Sequence, residues 1–379
     1  MFPASHLGAA GAIPSLQMSA KTHPRPSSPR PSSRRGFRLA LVALAAIVLL
    51  GIGHTLLWRW MGNQLEAGLR SWTEARRAQG WEVDYGTPVR GGWPLAATLT
   101  LPNLHLVGGG TAVPGGIDWQ AGAVTLRVGL PHVQTLIIDL PDPQRLGTHL
   151  GDLSFAAERL EGRVTMVSGI PPREAEIIAE GLRVGTASGA LTVRSLNATV
   201  DSRSTATESE AAVMLKAHAE DAQLPQPSPL GQTVQSVDLE AALTGPTPPG
   251  RQPRERAAAW RDSGGTLELR SLTMHWGQLG LSGAATMALD GNLQPMGAGT
   301  LRLTGAEALV DALASTGTID PRNAGLVKAM LSLVTTKPAD GGAPQVELPL
   351  TLERQRLSAA RIPLMKMPAI DWPTEPVGP

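Results

Sequence analysis

The clearest pattern along the chain is an unbroken apolar run, Leu39 to Leu57 (LALVALAAIVLLGIGHTLL), whose one ionisable residue, His54, stands near its end. At about 1.5 Å per residue the run spans roughly 28 Å, close to the hydrocarbon thickness of a bilayer. A soluble core helix would keep a polar face, so residues 37–58 are expected to form a transmembrane anchor. Met61, Leu65, Leu69 and Trp72 follow at three- and four-residue spacing, and Glu66 precedes Arg70 by four. This predicts an amphipathic stem helix over residues 59–80 that stops near Gly80.

Beyond Gly80 the period changes from about 3.6 to 2. Leu99/Leu101, Val124/Leu126/Val128, Val213/Leu215, Val237/Leu239/Ala241/Leu243, Leu267/Leu269, Met287/Leu289, Leu301/Leu303 and Val346/Leu348/Leu350/Leu352 each put apolar side chains on one face of an extended strand. Polar or small residues occupy the other face, as Asp238, Glu240 and Ala242 do between Val237 and Leu243. That one-sidedness belongs to antiparallel sheets rather than to buried parallel strands. A weak internal repeat, Gly189-Ala-Leu-Thr-Val-Arg-Ser-Leu and Gly265-Thr-Leu-Glu-Leu-Arg-Ser-Leu, slips phase after its arginine, where a turn or bulge is expected.

Two helices are expected in the C-terminal half. One covers about 306–314, with Leu309, Val310 and Leu313 on one side. The other begins at Asp320-Pro321, an N-cap followed by proline at the first helical position. Gly245-Pro-Thr-Pro-Pro-Gly-Arg-Gln-Pro253 reads as linker. The resulting expectation is a mainly β protein: an N-terminal transmembrane helix, then an elongated, curved antiparallel β-sheet body with a few covering helices in its C-terminal half. Its segments are a disordered basic tail (1–36), anchor (37–58), stem (59–80), β-rich lobe (81–245), linker (246–262), and a second β-rich lobe with two helices (263–379).

Charge adds an orientation. The 379 residues carry a net charge of only +1, but residues 1–38 hold Lys21, Arg25, Arg30, Arg34, Arg35 and Arg38 and no acid. By the positive-inside rule the tail is cytoplasmic and the mildly acidic body is exported. Arg34, Arg35 and Arg38 on one side, and Trp58, Arg59 and Trp60 on the other, are the expected membrane-interface residues. Ser33-Arg34-Arg35-Gly36-Phe37 also resembles a twin-arginine export signal, while no small-x-small cleavage site follows the run. The expected location is a bacterial inner membrane, single-pass, with a periplasmic body.

Candidate chemistry is sparse. The absence of Cys removes disulfides, thiolate nucleophiles and cysteine-based metal sites. No Gly-x-Ser-x-Gly, phosphate loop, His-Glu-x-x-His or dinucleotide fingerprint occurs. His105, His132, His149, His218 and His275 stand far apart, and His149 with Asp152 reads as a solvated pair. No cofactor or metal is expected, and without a basic stripe interleaved with aromatics no nucleic-acid partner either. Nine Trp against one Tyr and three Phe is a lopsided aromatic set. Trp93, Trp119 and Trp276 are candidates to line a hydrophobic groove, the alternative being that they fill the core.

Gly92-Trp93-Pro94-Leu95, Ile117-Asp-Trp119 before Val124-Thr-Leu126, Gly265-Thr-Leu-Glu-Leu with Trp276-Gly277, Leu289-Asp290 with Leu293-Gln294-Pro295, Leu348-Pro349-Leu350, Ile362-Pro363-Leu364 and Trp372-Pro373 form a series. The series resembles the bacterial family called domain of unknown function 2125, over roughly residues 40 to 373. The resemblance implies a membrane-anchored envelope protein and supplies no catalytic residues. An anchor followed by one-sided strands is also similar in style to the AsmA-like envelope proteins, whose β-rich bodies are associated with lipid handling, an analogy of architecture.

About a dozen one-sided strands with two helices to cover them must close on themselves or leave apolar surface open. The expected function is therefore non-catalytic: binding of lipid or another hydrophobic ligand in a β-groove. The alternative is an anchored scaffold for envelope proteins, with an envelope hydrolase third.

Overall fold

The computed structural model describes residues 33–108, 116–141, 143–148, 151–166, 173–186, 188–203, 210–246, 253–317, 320–337, 343–360, 362–370 and 372. The expected basic tail, residues 1–36, lies almost wholly outside them. The chain divides into two compact units, Met1–Gly53 and His54–Pro379.

No proline interrupts residues 33 to 78, and they form one helix, α1 (Ser33–Ala78). Arg76 and Arg77 lie in its last turn, where they favour the negative end of the helix dipole. Gly80, with φ +82°, takes the left-handed conformation that commonly follows a helix end. The helix is long and apolar enough to cross a membrane, and none of its most apolar stretch is buried.

In the second unit, Met61, Leu65 and Leu69 are buried against Ala97, Leu99, Leu101 and Val128. This is the stem face that the spacing predicts. Trp72 shares the spacing but not the burial: it is exposed, with the Arg76 guanidinium 5.8 Å from its ring centre and equally far from that of Trp81. A cation held between two indoles takes the place of core packing there.

Among the described residues the body is one large antiparallel sheet of 19 strands. It begins with β1 (Glu82–Asp84), β2 (Val89–Gly91), β3 (Ala96–Gly108), β4 (Ile117–Gly129), β5 (Thr135–Asp139), β6 (Gln144–Thr148), β7 (Gly151–Ala156) and β8 (Arg159–Thr165). The long strands β9 (Glu174–Thr186), β10 (Gly189–Ser202), β11 (Ala211–Gln223) and β12 (Thr233–Thr244) follow. After α2 (Pro253–Asp262) come β13 (Leu267–Trp276), β14 (Leu279–Leu289) and β15 (Pro295–Thr304). Then α3 (Ala306–Ser315) and α4 (Pro321–Val334) precede β16 (Thr335–Thr336), β17 (Gln345–Glu353), β18 (Arg356–Ala359) and β19 (Ile362–Lys366).

Both β1 and β2 pair with β3, and β3 pairs with β4. Between β4 and β9 the sheet splits along its length, one half running through β5 and β8 and the other through β6 and β7. From β9 it is a meander, each strand pairing with the next through β15, then β17, β18 and β19. Among the described residues no pairing joins β1 or β2 to β18 or β19, so this is an open sheet and not a barrel.

The segment read as linker ends in α2, and β12 pairs directly with β13 across it. Trp260 of α2 donates from Nε1 to the Thr244 carbonyl at 2.8 Å, which fastens the helix to the end of β12. The phase slip expected after the repeat's arginine is present in β13, where the register shifts against both neighbours around Arg270. The expected cap is also present: Asp320 Oδ1 accepts from the Arg322 amide at 2.9 Å, with Pro321 at the first position of α4.

Candidate functional site

Strand alternation fixes which side chains share a face, and the register fixes which of them line up. Leu99, Leu126, Ile138, Gly162, Ile177, Ala198, Ala217, Leu239, Leu272, Gly283, Leu301 and Leu348 are successive cross-strand partners. They make one row across twelve strands with no polar side chain in it. A second row on the same face runs through Val164, Ala175, Val200, Leu215, Ala241, Leu269 and Ala285. A third runs through Leu160, Ala179, Leu196, Ala219, Val237, Met274 and Leu281.

The two ends of this face are covered. The stem of α1 lies over β3 and β4 at one end. At the other, α3 and α4 contribute Ala306, Leu309 and Leu331 to a cluster with Leu279, Leu303, Val346 and Leu348. Over β9 to β13, of the residues these rows supply, Ala179 alone is fully buried, Ile177 is 43% exposed, and the others are half-buried. The uncovered stretch crosses four strand spacings, about 19 Å at ~4.8 Å each.

The opposite face is polar. Ile178, Asn197, His218, Asp238, Thr273, Ser282, Arg302 and Glu347 form one of its rows. His218 Nδ1 lies 2.7 Å from Asp238 and Nε2 3.4 Å from Glu220, and hydrogen bonding to first the one and then the other holds its pKa above the usual imidazole value. An open dip of about 320 Å³ over β13–β15 is lined by Glu268, Arg270, Thr286 and Thr300 among others. Arg270 is already bonded to Glu268 at 3.1 Å, so the dip offers no free charge.

Where the sheet splits, Glu161 is 3% exposed, with Arg163 at 2.6 Å, Arg159 at 2.8 Å and Arg127 at 3.7 Å. Burial alone would raise its pKa, but the hydrogen bonds and charges of Arg159 and Arg163 outweigh it and hold the carboxyl below the usual range. Its stabilising contribution is therefore full above the unfolded pKa and lost as pH falls through the lowered folded value. Glu161→Gln should cost about 1–2 kcal/mol at neutral pH, since the arginines are partly solvated. The gap from wild type should narrow on acidification in denaturant titrations; a gap independent of pH would show that the ionised carboxylate is not its source.

The candidate groove tryptophans do not converge. Trp93 is at the tip of the β2–β3 hairpin, exposed. Trp119 lies in β4 beside the cluster of Val83, Leu104, Leu106, Ala121 and Val124, and donates to Gln144 Oε1 at 3.1 Å. Trp276 ends β13 and donates to the Gly231 carbonyl at 2.9 Å.

Of the candidate interface residues, Arg34 and Arg35 lie in the first turn of α1, and Arg38, Arg59 and Trp60 are exposed. Trp58 is half-buried and donates to the Ala96 carbonyl at 2.9 Å. His149 lies outside the described residues, and Asp152 pairs with Arg145. Among the described residues no group of three or more His, Asp and Glu could hold a metal ion.

Alternation announced the apolar faces of eight strands, β3, β4, β11 to β15 and β17, but not those of β5, β8, β9 and β10. The alignment of those faces into rows carried no signal, because register depends on turns and bulges that strand composition does not encode.

A long apolar helix followed by one open, one-sided antiparallel sheet, apolar on one face and ionic on the other, defines the structural class. Residues 58–368 match the family described as "Uncharacterized protein conserved in bacteria (DUF2125)", and the chain belongs to that family. No curated protein and no solved structure matches it.

Proposed function

We propose that this is a membrane-anchored, non-catalytic lipid-binding protein of the bacterial cell envelope, with its body on the periplasmic side of the inner membrane. The uncovered apolar face of β9–β13 carries the reading. Across β9 to β13 its uninterrupted rows run about 19 Å. That accommodates one acyl chain, which spans about 15 Å in a single leaflet of a bilayer. Each methylene transferred from water would contribute about 0.8 kcal/mol. With no polar side chain in the rows, the ligand's recognised part is hydrocarbon.

Mass spectrometry of lipid extracted from the full chain, purified in mild detergent, tests this. A recurring lipid should exceed the amount carried by the Ala217→Glu protein, whose anchor brings the same annular lipid. Equal lipid in the two proteins would sink the proposal.

One observation favours a second reading, an anchored scaffold. The outer edge of β19 is unpaired among the described residues, and Ile362, Leu364 and Met365 on it are exposed. Such an edge accepts an extended strand from a partner protein.

A further inference from the structure

We propose that the β2–β3 hairpin tip and the neighbouring β4–β5 turn form a second membrane contact, dipping apolar side chains into the bilayer interface beside the anchor. The inference rests on the anchoring half of the functional reading and is independent of ligand binding in the sheet.

Three observations converge on it. The tip, Gly92-Trp93-Pro94-Leu95, is tied to α1 where its apolar run ends. His54 Nε2 is 2.6 Å from the Pro94 carbonyl oxygen, and Trp58 donates from Nε1 to the Ala96 carbonyl. If Leu39 to Leu57 fills the hydrocarbon layer, these bonds place the tip at the depth where that layer gives way to headgroups.

The tip is apolar where a solvated turn would be polar. Trp93 is 60% and Leu95 81% exposed. Gly92 has φ +85°, and a Cβ there would come 2.6 Å from the Ala96 carbonyl oxygen, so glycine lets the turn fold tightly and present both side chains outward.

The apolar surface also continues along the same end of the sheet. Ala96 pairs with Gly129, and beyond it Leu130 is 49% exposed and Val133 39%. Met166, at the end of β8, is exposed and donates its amide to the Gln134 carbonyl at 2.8 Å. Residues 92–96 and 129–134 contain no Lys, Arg, Asp or Glu, with His132 their one ionisable side chain. A surface with an indole and several aliphatic side chains and no fixed charge, bonded to Trp58 of α1, suits a phospholipid interface, where Trp sits at headgroup level.

The chain has no cysteine, so single cysteines can carry a nitroxide label in the full-length protein reconstituted in phospholipid vesicles. Three positions suffice: Leu95→Cys in the tip, Leu44→Cys in the apolar run and Ser271→Cys on the polar sheet face. The label at 95 should collide several-fold more with oxygen, which concentrates in lipid, than with a water-soluble nickel chelate, as should the label at 44, with the reverse at 271. A label at 95 that behaves like 271 while 44 stays in lipid would overturn the hairpin contact and leave the anchor standing. Water access at 44 would overturn the anchor, and the hairpin contact with it.

Discussion

Ala217→Glu should abolish the lipid excess while leaving the melting temperature of the lipid-free protein nearly unchanged. Ala217 sits mid-sheet between Ala198 and Leu239 in the longest apolar row and is half-buried. On an open face a glutamate head can reach water, and the cost is within about 1 kcal/mol, as for most surface substitutions. Inside a sealed core the same carboxylate would be desolvated without a partner and would cost several kcal/mol, lowering the melting temperature by about 10 °C or more. Differential scanning calorimetry of delipidated protein separates the two. A small shift with lost lipid supports an open binding face, whereas a large shift would make the rows ordinary core and end the lipid proposal.

Leu99→Ala should give the largest loss of stability of any single truncation discussed, about 3–5 kcal/mol. Leu99 is 1% exposed, lies under Met61, Leu65 and Leu69, and begins the same row that Ala217 occupies in the open stretch. The cavity would open between stem and sheet, so hydrogen exchange should rise first in residues 54–78. Leu239→Ala removes the same atoms from the half-exposed part of the row and should cost about 1–2 kcal/mol, because the missing contacts are on one side only. Equal losses from the two substitutions in denaturant titrations would contradict the division of the sheet into covered and uncovered stretches.

Much of this architecture was legible in the sequence, because it is written in short-range periodicity. The apolar run and the Met61–Leu65–Leu69 spacing specify α1 and its buried face, and Asp320-Pro321 specifies the start of α4. The apolar sides of β3, β4, β11 to β15 and β17 followed from alternation alone. What could not be read depends on groups distant in sequence. The twelve-strand row needs the register of every hairpin, including the shift at Arg270. Alternation puts Arg159, Glu161 and Arg163 on one face of β8, but the burial of Glu161 also needs Arg127 on β4, which no spacing announces.

Similarly, α2 hides behind a proline-rich entry, Pro246 to Pro253, and is held by bonds to groups distant in sequence, from Trp260 to the Thr244 carbonyl and from Arg261 to the Asp290 and Gly291 carbonyls. The tryptophans show the limit of composition as a guide. Their number is unusual, yet Trp93, Trp119 and Trp276 serve as a tip, a half-buried strand residue and a strand end, and the rows of the apolar face consist of Leu, Ala, Val, Ile, Gly and one Met.

Because the strands beyond β9 pair, among the described residues, one after another along the meander, it behaves as a nearly one-dimensional array, its stability a running sum of adjacent pairs. A barrel cannot lose or gain a hairpin without breaking closure. An open array can, at the cost of one interface, and every hairpin added in register lengthens the apolar row by two strand spacings. The dimension that would set which ligands fit is thus governed by strand number, a quantity that can change without altering the chemistry of a single existing side chain.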